Sequence, residues 1–262
     1  MATAVSNALA IQGRVIQALM LRETKTRYGL LKLGYVWALI EPALQVGVFV
    51  AIFTLAGRES ASGMPLVLFL ITGITPFLAF RKSLQQVTAA VKANRQLLTF
   101  PQVTLFDLVF ARLWLEAVTM VVVFILLVFF SQYLGEQVNI ENLLGVCIAF
   151  LLMQLTAAGL GMLFCSLTPF LPSIHKLVNP FLGRPLFFTS GLFFTAEMLP
   201  PAVRDLLLYN PLLHLIEYLR SSFFYEFHSV YYDLGYAGAW ALATFTLGIA
   251  AMTVNRDRLL NR

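Results

Sequence analysis

The sequence predicts an all-α integral membrane protein of six transmembrane helices, with an amphipathic helix before the first and a re-entrant helix pair between the fifth and sixth. Three observations lead there. Hydrophobic residues make up 59% of the 262 and charged residues only 12%, against about 45–50% and 25% in soluble domains. Six runs approach the ~20 mostly apolar residues that a span requires. Lysine and arginine also fall almost entirely on one side of those runs, which sets orientation. A soluble domain of this length could not hide 23 Phe beside such uncharged stretches.

The elements follow in order. Residues 1–33 read as a cytoplasmic interface helix, because Leu9, Val15, Ile16, Leu19 and Met20 recur at helical spacing with Gln12, Arg14 and Gln17 between them. Gly29 and Gly34 can turn the chain from lying to spanning, and Trp37 suits the interfacial belt. No signal peptide is expected, since residues 1–12 lack a basic start and no cleavage site follows. The rest, 34–262, forms one helical membrane domain with spans at about 35–56, 64–80, 108–133, 143–167, 178–195 and 234–254. No repeat, low-complexity tract or long linker divides it.

With the N-terminus inside, the inner side receives Arg14, Arg22, Lys25, Arg27, Lys32, Arg81, Lys82, Lys92, Arg95, Lys176, Arg256, Arg258 and Arg262. Glu59, Glu136, Glu141, Glu197, Asp205, Glu217, Glu226 and Asp233 sort outward. An even number of spans then leaves both termini cytoplasmic.

Five places carry charge or breaks where apolar helix would be simplest. Glu41 lies inside the first span beside Pro42, where a carboxylate pairs with a neighbouring helix or lines a path. The inner segment 87–98 reads either as a short docking helix or as a solvated loop; its candidates are Lys92, Arg95, Leu97 and Leu98, and Pro101 stops it. Pro200-Pro201 and Asn210-Pro211 cut 201–225 into two helices too short to cross, a re-entrant pair on the outer side. Asn210 and Pro211 form its cap and start, and His214, Glu217 and Arg220 follow. His214 and Glu217 lack a third ligand, so no metal is expected, and Glu217 with Arg220 reads as an exposed helical pair. Arg112 and Glu116 read as a similar pair. Asn179-Pro180 looks like another cap and start, which places Arg184 one turn inside the fifth span, to snorkel or to meet an anion. Cys147 and Cys165 are 18 positions apart, roughly 27 Å along a helix, too far for a disulfide. No GxxxxGK[ST] is present to cradle nucleotide phosphates, so any ATP is used by another chain.

With these pieces in place the chain resembles the permease subunits of type-2 ABC exporters, and among them the capsular polysaccharide export permeases of Gram-negative bacteria. Those that export O-antigen and teichoic acid are relatives. The resemblance rests on "RETKTRYGLLKLGYVWALIEP", "ANRQLLTFPQV" and "GLFFTAEMLPPAVRDLLLYNPLLHLIEYLRSSFFYEF". It implies a homodimer with two copies of a separate ABC ATPase, located in the inner membrane. It also implies a coupling helix at 87–98 and a lipid-linked polysaccharide substrate passing through a channel at the dimer interface. Trp37, Glu41, Arg81, Lys82 and Arg184 are then substrate-path candidates, and Asn210, Pro211, His214, Glu217 and Arg220 exit-gate candidates. A periplasmic co-polymerase-like subunit and an outer-membrane export protein would continue the route. No cofactor and no nucleic acid is expected on this chain. The competing readings are an intramembrane glycosyl or acyl transferase, for which Glu41, Asp107 and Glu116 are too scattered, and a scaffold subunit without transport.

Overall fold

The computed structural model describes residues 2–28, 36–58 and 60–261, and most of these are helical. Gly29, Lys32, Gly34, Glu59 and Arg262 lie outside the described residues. The chain opens with α1 (Ala2–Tyr28), on which Val15, Ile16, Leu19 and Met20 are half-buried while Arg14, Gln17 and Arg22 are exposed. Its apolar stripe therefore faces protein and its cations face out, as the spacing requires. Next come α2 (Val36–Leu55), a two-residue antiparallel pairing of Ser60–Ala61 with Met64–Pro65, and α3 (Leu66–Thr88). A short α4 (Ala90–Ala93) and a 3-10 turn (Arg95–Thr99) lead into α5 (Leu105–Tyr133) and α6 (Leu143–Leu167). Then follow α7 (Ile174–Val178), a π-helical turn (Asn179–Gly183), α8 (Arg184–Thr189), α9 (Pro201–Leu207), α10 (Pro211–Phe223), α11 (Leu234–Val254) and α12 (Arg256–Asn261).

Five of these are long and apolar enough to cross a membrane: α2, α3, α5, α6 and α11. Two differences from expectation have local causes. The second span runs on past 80 to Thr88, because "RKSLQQVT" contains no Pro or Gly and polar residues can leave an apolar layer without breaking the helix. The run expected at 178–195 is not one straight helix. The segment with Pro180, Gly183 and Pro185 winds as α7, the π turn and α8, and it ends at Ser190. Helices bend where Pro removes a backbone donor and where a π turn widens the ladder. Gly191 then takes φ +77, a left-handed conformation that a side chain would strain. From there 191–194 is a series of bends, and only Thr195 is extended before the 3-10 turn Ala196–Met198.

α3 is the hub. It packs against α2, α5, α6 and α10, with Phe69, Phe77 and Phe80 fully buried, so its apolar character on every side is explained by burial inside protein. α11 lies on the other side of α6, and α1 lies against α5. The bundle has a basic end, carrying Arg81, Lys82, Lys92, Arg95, Lys176, Arg256 and Arg258. Its opposite, acidic end carries Glu136, Glu141, Glu197, Asp205, Glu226 and Asp233.

Candidate functional site: a cation-and-aromatic face with a locked end

α2 presents one stripe outward: Trp37, Glu41, Leu44, Val48 and Ile52, all substantially exposed and all on one helical face. Glu41 sits in that stripe near the basic end. Its carboxylate accepts from Lys82 Nζ of α3 at 3.1 Å while the Glu41 side chain keeps 56% of its surface open. Of the two readings of Glu41, pairing with a neighbouring helix is therefore realised without removing it from the exposed face. Arg81, beside Lys82, holds its guanidinium 6.0 Å from the Phe187 ring centroid of α8. Arg184 is exposed at the first position of α8.

From Arg81 an aromatic ladder climbs towards the acidic end. Phe187 lies 5.6 Å from Phe77, 5.8 Å from Phe49 and 5.3 Å from Phe193. Phe193 in turn lies 4.8 Å from Phe49 and 5.7 Å, stacked, from Phe53. Arg58 closes the ladder, 5.2 Å from Phe53 and 5.6 Å from Phe69, with Nη1 donating to Phe193 O at 3.0 Å. A cation thus stands at each end of five rings joining α2, α3 and α8. None of the five was singled out from sequence. The i,i+4 spacing of Phe49 and Phe53 was the available signal, and it was lost among so many phenylalanines.

At the acidic end the site candidates turn inward. Arg220 is fully buried, 3.8 Å from the Phe69 ring centroid, and donates to four carbonyls. Nη1 reaches Gly191 O (2.6 Å) and Phe194 O (3.1 Å); Nη2 reaches Leu192 O (3.1 Å) and Phe69 O (3.2 Å). Gly73 makes room for it, since a Cβ there would stand 2.6 Å from Nη2. Glu217 is equally buried and accepts from the Ala196 amide at 3.1 Å. Burial pushes its carboxyl above the usual range, partly offset by the Arg220 charge. The expectation of an exposed Glu217–Arg220 pair is therefore corrected. The bent, non-helical backbone of 191–195 and the Ala196 amide that follows it lie against α10, and their carbonyls and amide capture both side chains. Arg112 pairs with Glu23 at 2.6 Å, a partner far away in sequence.

Asn210 caps α10 through Leu212 N (3.0 Å), as its Asn-Pro pattern predicts. It also donates to Thr189 Oγ1 (3.2 Å) and Ser190 Oγ (2.9 Å), tying α10 to the end of α8. His214 accepts the Asp233 amide on Nδ1 (2.8 Å), so its Nε2 donates to Leu208 O (2.7 Å). Both ring nitrogens are thereby used to tie the α9–α10 turn to the start of α11.

At the basic end, Lys92 and Arg95 are exposed, as is Phe100, which sequence reading passed over. Leu97 and Leu98 are half-buried against the apolar cluster of Val87, Val91, Leu105 and Leu108. The segment expected as one helix at 87–98 is the end of α3, then α4 and the 3-10 turn.

This frame, a buried hub helix with a cation-capped aromatic ladder packed beside it, coincides with a family match over residues 14–224 to the ABC-2 type transporters. The chain belongs to that family. The match includes α2, the ladder and the locked end, and stops just after α10. The polysialic acid transport protein KpsM of Escherichia coli is 30% identical over 250 residues, covering 95% of this chain and 96% of KpsM. The capsule polysaccharide export inner-membrane protein CtrC of Neisseria meningitidis serogroup A is 29% identical over 252 residues, 95% of this chain and 94% of CtrC. BexB of Haemophilus influenzae, named likewise, is 28% identical over 247 residues, 94% and 93% of the two chains.

Proposed function

We propose that this chain is the membrane permease of an ATP-driven exporter that moves lipid-linked capsular polysaccharide from the cytoplasm to the periplasm. The observation that carries the reading is the exposed stripe of α2 with Trp37 and Glu41, beside Arg81, Lys82 and the exposed Arg184 at the basic end and backed by a largely buried ladder of phenylalanine rings. Sugar rings offer apolar faces that pack on aromatic rings, and anionic groups are drawn to guanidinium and ammonium. The relatives similar over nearly their whole length, CtrC and BexB named for capsule polysaccharide export and KpsM for polysialic acid transport, favour that cargo over O-antigen or teichoic acid.

In this reading two copies face each other across α2 and α8, so that the two exposed α2 stripes enclose one path and the ladders stiffen the wall behind them. The α7–π–α8 segment completes a sixth passage, and α9 with α10 forms the re-entrant pair on the periplasmic side. Both termini are cytoplasmic. Arg81, Lys82 and Arg184 stand at the entrance with Trp37 and Glu41, and Asn210, Pro211, His214, Glu217 and Arg220 shape the exit. Segment 90–99, through Lys92, Arg95, Leu97 and Leu98, receives a separate ATPase, two copies per dimer. This chain needs no cofactor of its own. A periplasmic co-polymerase-like subunit and an outer-membrane export protein carry the polymer onward.

The test is reconstitution of the permease with its ATPase in liposomes, with lipid-linked polymer supplied on the ATPase side. ATP-dependent protection of the polymer from an added glycosidase is the expected result. Polymer that is never protected, yet is lengthened or acylated without any ATPase, would replace this reading with an intramembrane transferase.

A further inference from the structure

A buried polar knot joins four elements at the basic end, and the transport path described above does not use it. Glu23 comes from α1, Arg112 from α5, Gln86 from the last turns of α3, and Asn94 from the turn between α4 and the 3-10 segment. Arg112 Nη2 lies 2.6 Å from Glu23 Oε1, and each side chain is only 8% exposed. Arg112 Nη1 also donates to the Gln86 carbonyl at 3.3 Å and to Gln86 Oε1 at 3.4 Å. Asn94 Nδ2 donates to Glu23 Oε2 and to Ala90 O, both at 3.4 Å, while its Oδ1 accepts from Arg22 Nη1 at 3.1 Å. Nearer the N-terminus, the Gln12 amide donates to Asp107, whose other carboxylate oxygen closes the cap of α5 with Thr104. Leu19 of α1 packs on the same apolar cluster as Leu97 and Leu98.

A buried ion pair is a poor source of stability, because side chains of similar volume without charge often hold two elements as well or better. The knot supplies directed geometry instead. Each hydrogen bond fixes one element against another in a single register, whereas apolar contacts allow sliding. The elements it fixes together are the outward segment bearing Lys92, Arg95 and Phe100, the amphipathic helix with its exposed Arg14, Arg22 and Lys25, and the base of a long spanning helix.

We propose that Glu23, Asn94 and Arg112 are positioning residues of the transport cycle. They lock the ATPase-receiving segment 90–99 to α1 and to the base of α5, so that displacement of that segment moves the interface helix and the spanning helix together. This rests on the reading that 90–99 receives an ATPase. It adds a second output, through α1 along the bilayer surface, to the direct output through α3, whose chain continues into the segment.

The experiment uses the permease–ATPase complex in liposomes and compares Glu23→Gln, Glu23→Met with Arg112→Met, and Arg112→Lys. Three quantities are read: complex recovered, ATP hydrolysed, and polymer moved per ATP. Glu23→Gln and the double Met variant are expected to retain the complex and most hydrolysis while polymer per ATP falls about tenfold, an ordinary size for lost coupling between sites. Arg112→Lys, which keeps a charge facing Glu23, is expected to lose less of that ratio than either. Wild-type polymer per ATP in the double Met variant would show the knot to be replaceable packing and overturn the proposal. So would a Glu23→Gln protein in which complex, hydrolysis and transport all fall in step, since that describes a brace. A wild-type chain that assembles with no ATPase and moves no polymer would overturn the functional reading above, leaving the relay without a task.

Discussion

Two arginines stand against phenylalanine rings at opposite ends of this molecule and lead opposite lives. Arg220 is fully buried, in contact with Phe69, with both terminal nitrogens held by backbone carbonyls. Arg81 is partly open, more distant from Phe187, and beside a lysine already engaged by an exposed glutamate. Desolvation separates them. A guanidinium taken fully out of water needs partners for its terminal nitrogens, so Arg220 has become part of the backbone scaffold of 191–194. A guanidinium left half in solvent keeps donors free for something that arrives. The same residue type near an aromatic ring is a structural lock in one place and an available cation in the other. Substitutions at the locked end should therefore be read in folded stability, and substitutions on the open face in export alone.

The largest effect on stability is expected for Arg220→Met. It strands the Gly191, Leu192 and Phe194 carbonyls in a dry interior, and each buried group left unpaired costs about 1–3 kcal/mol. Little folded protein should reach the membrane fraction, judged by monodisperse recovery in detergent. Normal yield and unchanged thermal unfolding would mean that 191–194 finds other donors and is not locked.

Gly73→Ala comes next. The added Cβ would stand 2.6 Å from Arg220 Nη2 and 3.0 Å from Leu192 O. Alanine favours helix over glycine by about 1 kcal/mol, but overpacking of this kind costs about 1–3 kcal/mol. The clash wins here because the guanidinium is pinned by carbonyls and cannot swing away. A lowered midpoint of thermal unfolding, by several degrees, is the expected outcome, and a raised one would show that Arg220 moves freely.

How much of this was legible beforehand differs between the two regions for a physical reason. Asn210-Pro211 announced the start of α10, and the cap is present at 3.0 Å, because both its partners lie within two residues in sequence. The apolar runs announced α2, α5, α6 and α11 to within a few residues. By contrast Arg220 looked like an exposed helical partner of Glu217. Its real partners are carbonyls around Gly191, and backbone acceptors carry no residue signature. The bend at 179–185 had its prolines in plain view, yet a hydropathy window averages over them. The aromatic ladder was hidden by abundance, since five rings among 23 Phe have no pattern until α2, α3 and α8 are packed.

Asn210→Ala is expected to have a moderate effect in both readouts. Loss of a helix cap costs about 1 kcal/mol, and the donors to Thr189 and Ser190 go with it. With Pro211→Leu added, the break between α9 and α10 is erased as well. The protein should still insert, while surface polymer per cell falls more than thermal stability does. Proportional losses of both would place Asn210 with Arg220 among the locks.

Arg184 should show the smallest change in stability and so tests the open face most cleanly. It is exposed at the first position of α8, open to the surroundings of the fold. Two roles remain from its chemistry. As a snorkelling anchor it needs only a long cationic stem, which lysine also provides. As an entrance cation it would grip a carrier phosphate or an acidic sugar through the planar two-donor fork, where lysine offers a single point charge. Arg184→Lys and Arg184→Gln should both unfold at the wild-type temperature and assemble normally. Surface polymer at matched permease level separates the roles: a phosphate grip is weakened by Lys and largely lost with Gln. Full export with Lys would assign Arg184 to the interface, and the available cations of the open face would then reduce to Arg81 and Lys82.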